Sequence, residues 1–187
     1  MRKTRGKADV LDGFLVASAR VGDRRAFALL VERWDSRLRA HAWRLLGDAE
    51  QARDAVQEGW GEIVRSLGRL RDEEAFAAWA YRIVSRRCAS SIRGAQRSRR
   101  LEAAIGAGPA SGGPDPPDVG RLRAAVRALP PGQRAAVALF HFEEMSIAET
   151  AVALDVPTGT VKTRLMHARR KLRAALEGDE ECATSTS

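Results

Sequence analysis

Ser146 and Glu149 stand three residues apart at the head of an apolar-periodic run, the spacing at which each side chain satisfies a free backbone N–H of a helix start. Ile147, Ala151 and Leu154 follow at helical intervals, with Ala148 and Ala151 small enough for a close crossing. Pro157 then disfavours helical geometry at Val156, and Asp155 tolerates a left-handed turn position, so the helix stops there. A second helix opens at Thr158-Gly159-Thr160 and repeats Val161, Leu165, Ala168, Leu172 and Leu176 on one stripe. A short capped helix, a tight turn and a second amphipathic helix constrain this stretch to a helix-turn-helix. The second helix offers Thr158, Thr160, Lys162, Thr163, Arg164, His167, Arg169, Arg170 and Lys171, and no acid occurs from Val156 to Leu176. In such motifs the N-terminal part of the second helix meets base edges in the major groove. A packed surface helix pair with a solvated charged face would explain the stripe, but not the coincidence of cap, turn and acid-free side.

The rest of the chain shows the same period. No segment alternates for long as a strand would, and the fold class expected is all-α, two small helical domains joined by a flexible linker. Gly and Pro concentrate between Ala104 and Asp118, a composition that cannot fix itself by burial. This divides the 187 residues into a helical domain over 8–100, a linker over 101–118, the helix-turn-helix domain over 119–177 and a polar tail over 178–187. Four helices are expected in the first domain. Val10, Leu11, Phe14 and Leu15 mark one; Phe27, Leu30, Val31, Trp34, Leu38, Ala42 and Leu45 mark a second, which Gly47 ends. Asp48 with Gln51 caps a third, striped by Ala52, Ala55, Val56, Trp60, Ile63, Val64 and Leu67. Asp72 starts the fourth, where Phe76, Ala80, Ile83, Val84, Cys88 and Ile92 are the apolar positions. Beyond the linker, Val119, Leu122, Val126 and Leu129 mark a short helix; Pro130-Pro131 breaks it and restarts another, with Ala138, Leu139 and Phe142 on its apolar side.

Two of these helices carry chemistry of opposite sign. The third sets Asp54, Gln57, Glu58 and Glu62 away from its apolar stripe. The fourth has no acid between Ala75 and Leu101, while Arg82, Arg86, Arg93 and Arg97 fall on one face and Arg87, Arg99 and Arg100 add to the charge. Phe76, Trp79 and Tyr81 precede the arginines, and rings beside a basic groove suit the stacking of unpaired bases. The competing reading makes Phe76 and Trp79 core aromatics ahead of a solvated basic helix. A net charge of +8, carried largely by Arg, favours a polyanionic partner.

No catalytic pattern appears. His41, His141 and His167 are isolated, Glu143-Glu144 reads as a solvated helix end, and neither phosphate-loop, nucleophile nor metal spacing occurs. The expectation is a non-enzyme without metal or cofactor. Cys88 lies on an apolar row and is expected as a buried, reduced thiol; Cys182 lies in the polar tail. The start MRKTRGKADV lacks the apolar segment of a signal peptide, and no long apolar run follows, so a cytoplasmic protein without membrane insertion is expected.

These segments together resemble a known family. The run from Leu129 to Leu172, with its LPPGQR and GTVKTRL pieces, is similar to region 4 of the extracytoplasmic-function (ECF) sigma factors, a subfamily of the bacterial sigma-70 family. Residues DAEQARDAVQEGWGEI and FAAWAYRIVSRR are similar to their region 2. The resemblance implies a promoter-recognising subunit of RNA polymerase. Asp54, Gln57, Glu58, Trp60 and Glu62 would dock on the clamp helices of the polymerase's largest subunit, and the flap of the second-largest would be a further contact. Phe76, Trp79, Tyr81, Arg82, Arg86, Arg87, Ser90, Arg93 and Arg97, with the loop from Gly68, would engage and open the −10 element of promoter DNA. The residues from Thr158 to Lys171 named above would read the −35 element. An anti-sigma factor would hold the protein inactive. A self-sufficient helix-turn-helix regulator is the alternative, but it leaves the third and fourth helices without a role. Departures from the family pattern are Arg86 and Ser90 where Asn and Asp are frequent, Asp155 for a turn glycine, Thr150 for an apolar residue, and Gly59 and Gly61 in the clamp-facing helix. The two glycines are expected either to permit close approach to polymerase or to be neutral.

Overall fold

The computed structural model describes residues 7–103 and 117–177, and every regular element among them is helical. Packing divides the chain into two units, Met1–Cys88 and Ala89–Ser187. The composition-based boundary near 100 differs from this because Cys88 is the last fully buried position of its helix; from Ala89 onward that helix leaves the core. The linker expected over 101–118 and the tail, with Cys182, lie mostly outside the described residues.

In the first unit α1 (Lys7–Arg20), α2 (Arg24–Leu46) and α3 (Ala49–Ser66) pack in succession. Two 3-10 turns, Leu67–Arg69 and Glu73–Ala75, lead into α4 (Phe76–Ala103). Local chemistry sets these boundaries. Asp23 Oδ1 accepts from Arg25 N at 2.8 Å and Ala26 N at 3.0 Å to start α2, and Gly47, at φ 75°, ends it. Asp48 Oδ1 accepts from Gln51 N at 2.8 Å to start α3. The core is Leu15, Val16, Leu30, Trp34, Leu38, Leu45, Val56, Ile63, Phe76, Tyr81, Val84 and Cys88. Four positions read as apolar-face differ, Leu11 of α1 among them. α1 buries Leu15 and Val16 while Val10 and Phe14 face outward, and Val64 on α3 is exposed.

In the second unit α5 (Pro117–Ala128), α6 (Pro131–Val137), α7 (Ile147–Leu154) and α8 (Thr158–Glu177) enclose Leu129, Ala136, Val137, Ala151, Val161, Leu165 and Ala168. The capping box at Ser146 is present in both directions, with Ser146 N donating to Glu149 Oε2 at 2.7 Å and Glu149 N to Ser146 Oγ at 3.2 Å. Asp155 takes the left-handed conformation at φ 53°. At the α7 crossing Ala151 and Ala153 are buried, whereas Ala148 is exposed. Between α6 and α7 the chain makes a π turn over Ala138–Phe142, with Glu143 N donating to Ala138 O at 3.2 Å. The extra residue per turn rotates Phe142 out of the apolar side on which an α-helical count places it, leaving it exposed while Ala138 and Leu139 are buried. No helix among the described residues is long and apolar enough to cross a membrane.

Candidate nucleic-acid and protein interfaces

α3 presents its acids as its capping and stripe require. With Ala52, Ala55, Val56 and Ile63 turned inward, Asp54, Gln57 and Glu58 are exposed. Trp60 behaves differently from its assignment to a polymerase surface. Its Nε1 donates to Asp35 Oδ1 at 3.0 Å and its ring stands edge-on to Phe27 at 5.9 Å, so it fastens α3 to α2 and is half-buried. Gly59 also serves the interior. A Cβ there would lie 3.1 Å from Val84 Cγ2, so the missing side chain permits the α3–α4 crossing rather than an approach by polymerase. Gly61 meets only the guanidinium of Arg65.

On α4, two of the three candidate stacking rings are core. Phe76 and Tyr81 are each 1 % exposed and stand edge-on to Trp34 at 5.4 and 6.0 Å. Neither offers a face to a base. Trp79, tilted against Phe76 at 6.1 Å, is half-buried. Ser90, Arg93 and Arg97 are exposed, and Arg82 is half-buried. Arg86 and Arg87 turn toward α3. Arg87 donates to Glu58 Oε2 at 3.3 Å and to Glu62 Oε2 at 2.8 Å, while Arg86 bonds Glu62 Oε1. Burial alone would raise the Glu62 carboxyl, but hydrogen bonds from Arg86 and Arg87 hold it below its ordinary value. The acidic and basic rows read as separate surfaces are therefore joined at their near edges.

Two titratable groups of the first unit, His41 and Cys88, lie in its core rather than on these surfaces. His41 is fully buried, with Nε2 2.9 Å from Ser85 Oγ and its ring edge-on to Tyr81 at 5.0 Å. Burial, then Arg44, lowers its pKa from 6.5 to about 3. Cys88 is buried and free, its thiol pushed up to about 12 by desolvation. His141 is exposed. No cluster of potential metal ligands occurs among the described residues.

α8 buries Val161, Leu165 and Ala168, and its remaining circumference falls into two edges. On one edge Thr160, Arg164, His167 and Lys171 lie within a narrow arc. Arg164 is half-buried because its guanidinium crosses Gly132 of α6, where an added Cβ would sit 3.1 Å from Cζ. On the other edge Lys162, Arg169, Arg170 and Arg173 rim a pocket of about 390 Å³ floored by Phe140, Ile147, Leu165 and Met166. Thr158 and Thr163 are exposed, and Thr163 Oγ1 donates to Gly159 O at 3.0 Å, leaving its lone pairs free to accept. The nine α8 residues proposed for one groove thus do not share one face. Gly132, Met166 and Arg173 were missed as participants. The glycine in LPPGQR was the available signal for the first; the others needed the fold. Near Gly132, burial and then Arg127 lower the Arg134 pKa.

Comparison with known proteins covers both units. Residues 30–98 match the family model of sigma-70 region 2, and residues 120–172 that of sigma-70, region 4. The chain is 32% identical over 186 residues to the ECF RNA polymerase sigma factor SigM of Mycobacterium tuberculosis, covering 91% of this chain and 87% of that protein. Among solved structures it is similar to CnrH in complex with the cytosolic domain of CnrY, at 28% identity and a TM-score of 0.70, over 90% of this chain and 99% of CnrH. The fold is also that of the sigma factor RpoE of Bartonella quintana, solved with the anti-sigma factor NepR, at 24% identity and a TM-score of 0.69 over 81% of this chain and 96% of RpoE.

Proposed function

This chain belongs to the ECF subfamily of the sigma-70 family and is an RNA polymerase sigma factor; on that footing we propose how its two units divide the work. The exposed acids of α3, Asp54 and Glu58, with the amide of Gln57 between them, dock on the basic clamp helices of the largest polymerase subunit, since an acidic face on a chain of charge +8 suits a protein partner better than DNA. Ser90, Arg93 and Arg97 on α4, with half-buried Trp79 and the exposed Gly68, Arg69 and Arg71, engage the −10 element and its separated strand. The Thr160–Lys171 edge of α8 enters the major groove of the −35 element, and the pocket edge, Lys162 to Arg173, contacts flanking phosphate or the polymerase flap. The protein catalyses no reaction itself; polymerase does the chemistry, in the cytoplasm. An anti-sigma partner is part of this reading, by analogy with the solved complex of the sigma factor RpoE and the anti-sigma factor NepR.

The observation that carries the proposal is the pairing of a helix with solvent-exposed acids and a basic α8 that holds no acid before its last residue, Glu177, in one chain that matches the family across both units. A self-sufficient regulator gives the first unit no role. The test is run-off transcription with core polymerase on a pool of upstream fragments. Discrete transcripts that begin a fixed distance downstream of a two-part motif are expected. Transcripts no different from those of core polymerase alone would overturn the proposal.

A further inference from the structure

Glu62 accepts from two arginines at once, one on each carboxylate oxygen, and Arg87 divides its guanidinium between Glu62 and Glu58. These four charges sum to zero. They join α3, the helix that carries Asp54 and Gln57, to the first-unit part of α4. The Glu58 side chain is 65% exposed and that of Arg86 59%, so both reach water without any movement of backbone. Exposed ion pairs are individually weak because water screens them and two long side chains must be held still. A partner with stronger or more numerous charges can exchange first for the exposed ends, Glu58 and Arg86, and then for the part-buried Arg87–Glu62 bond, whose side chains are 35% and 21% exposed.

We propose that the Glu58/Glu62–Arg86/Arg87 network is an exchangeable latch: a cationic polymerase surface that takes the two carboxylates releases the two guanidiniums to promoter phosphate. This rests on the reading of α3 as the polymerase face. In the free protein each row neutralises the other, so neither polymerase nor nucleic acid meets full charge. Binding either partner removes the competitor for the second. By thermodynamic reciprocity the two affinities rise together by the same factor. The latch gives the isolated chain weak DNA binding through α4 and full binding only in the assembled enzyme, with no autoinhibitory domain required.

The test is a cycle on the full chain with a charge-matched control. Glu62→Gln should tighten binding of a fluorescein-labelled mixed-sequence single-stranded DNA about three- to tenfold and steepen its salt dependence by about one unit, as expected for one or two freed cations. Glu32→Gln, at an exposed position on α2, makes the same change in net charge and should leave that affinity within about twofold. The gain should vanish when Arg86→Gln and Arg87→Gln are added. Conversely, Arg86→Gln/Arg87→Gln alone should tighten binding to core polymerase. Glu58→Gln, at the more exposed partner, repeats the DNA measurement with less risk to folding. An unchanged DNA affinity in both Glu variants, or a Glu32→Gln gain equal to that of Glu62→Gln, overturns the latch. If core binding also ignores Glu58 and Glu62, the assignment of α3 to polymerase fails as well; if core binding weakens while DNA binding is unmoved, only the latch fails.

Discussion

Thr150 sits fully buried on α7, and its hydroxyl has no hydrogen-bond partner. An apolar group of the same shape relieves that desolvation, so Thr150→Val should raise stability by about 1 kcal/mol in urea unfolding; a loss would show that the hydroxyl is satisfied. His41 makes the opposite kind of statement, about pH. Its folded-state pKa of about 3 lies below the ordinary 6.5, so between those values the unfolded chain binds more protons than the native one. Its contribution is fully present above pH 6.5 and falls by about 1.4 kcal/mol for each pH unit below it until about pH 3. At about pH 5, urea unfolding of the native protein should show roughly 2 kcal/mol more acid loss than that of His41→Gln, which cannot titrate. Equal losses would mean that His41 is protonated in the fold. Thr150 was legible in the sequence as a polar residue at a core position. The burial of His41 was not, because it depends on Tyr81 and Ser85 of α4 closing over α2.

At the scale of the helix, boundaries were legible wherever one side chain decides them. The Ser146–Glu149 box, Asp155 in its left-handed turn, Gly47 and the Asp48 cap all act within a few residues of where they stand. What local pattern does not contain is the width of a buried face. Tyr81 lies off the centre of the α4 stripe and is buried because Trp34 and His41 reach it; the π turn shifts register through a bond across five residues that no local pattern marked. The two α3 glycines separate these cases. Gly59 faces the fully buried Val84, so Gly59→Val should lose about 1–3 kcal/mol from overpacking. Gly61 faces only the mobile end of Arg65, so Gly61→Ala should gain about 1 kcal/mol from helix propensity. Opposite shifts in melting temperature check the pair, and equal ones would place Gly59 away from the α3–α4 crossing.

For the whole molecule, composition and order sufficed to place an acid-bearing unit ahead of a helix-turn-helix unit. Charge alone could not show that the acidic and arginine rows meet in ion pairs, since Glu62 and Arg86 are 24 residues apart in sequence. Nor could it show that α8 divides into an edge over Gly132 and an edge around a pocket. With part of the arginine row occupied by Glu58 and Glu62, the first unit is poorly charged for DNA until polymerase engages it. Permanganate footprinting of a promoter recovered from the run-off pool tests this dependence directly, by reporting unpaired thymines with core polymerase alone, with the chain alone and with both. Reactive thymines in the −10 element only when both are present are the result expected. Opening by the chain without polymerase, or none by the pair, would contradict the account.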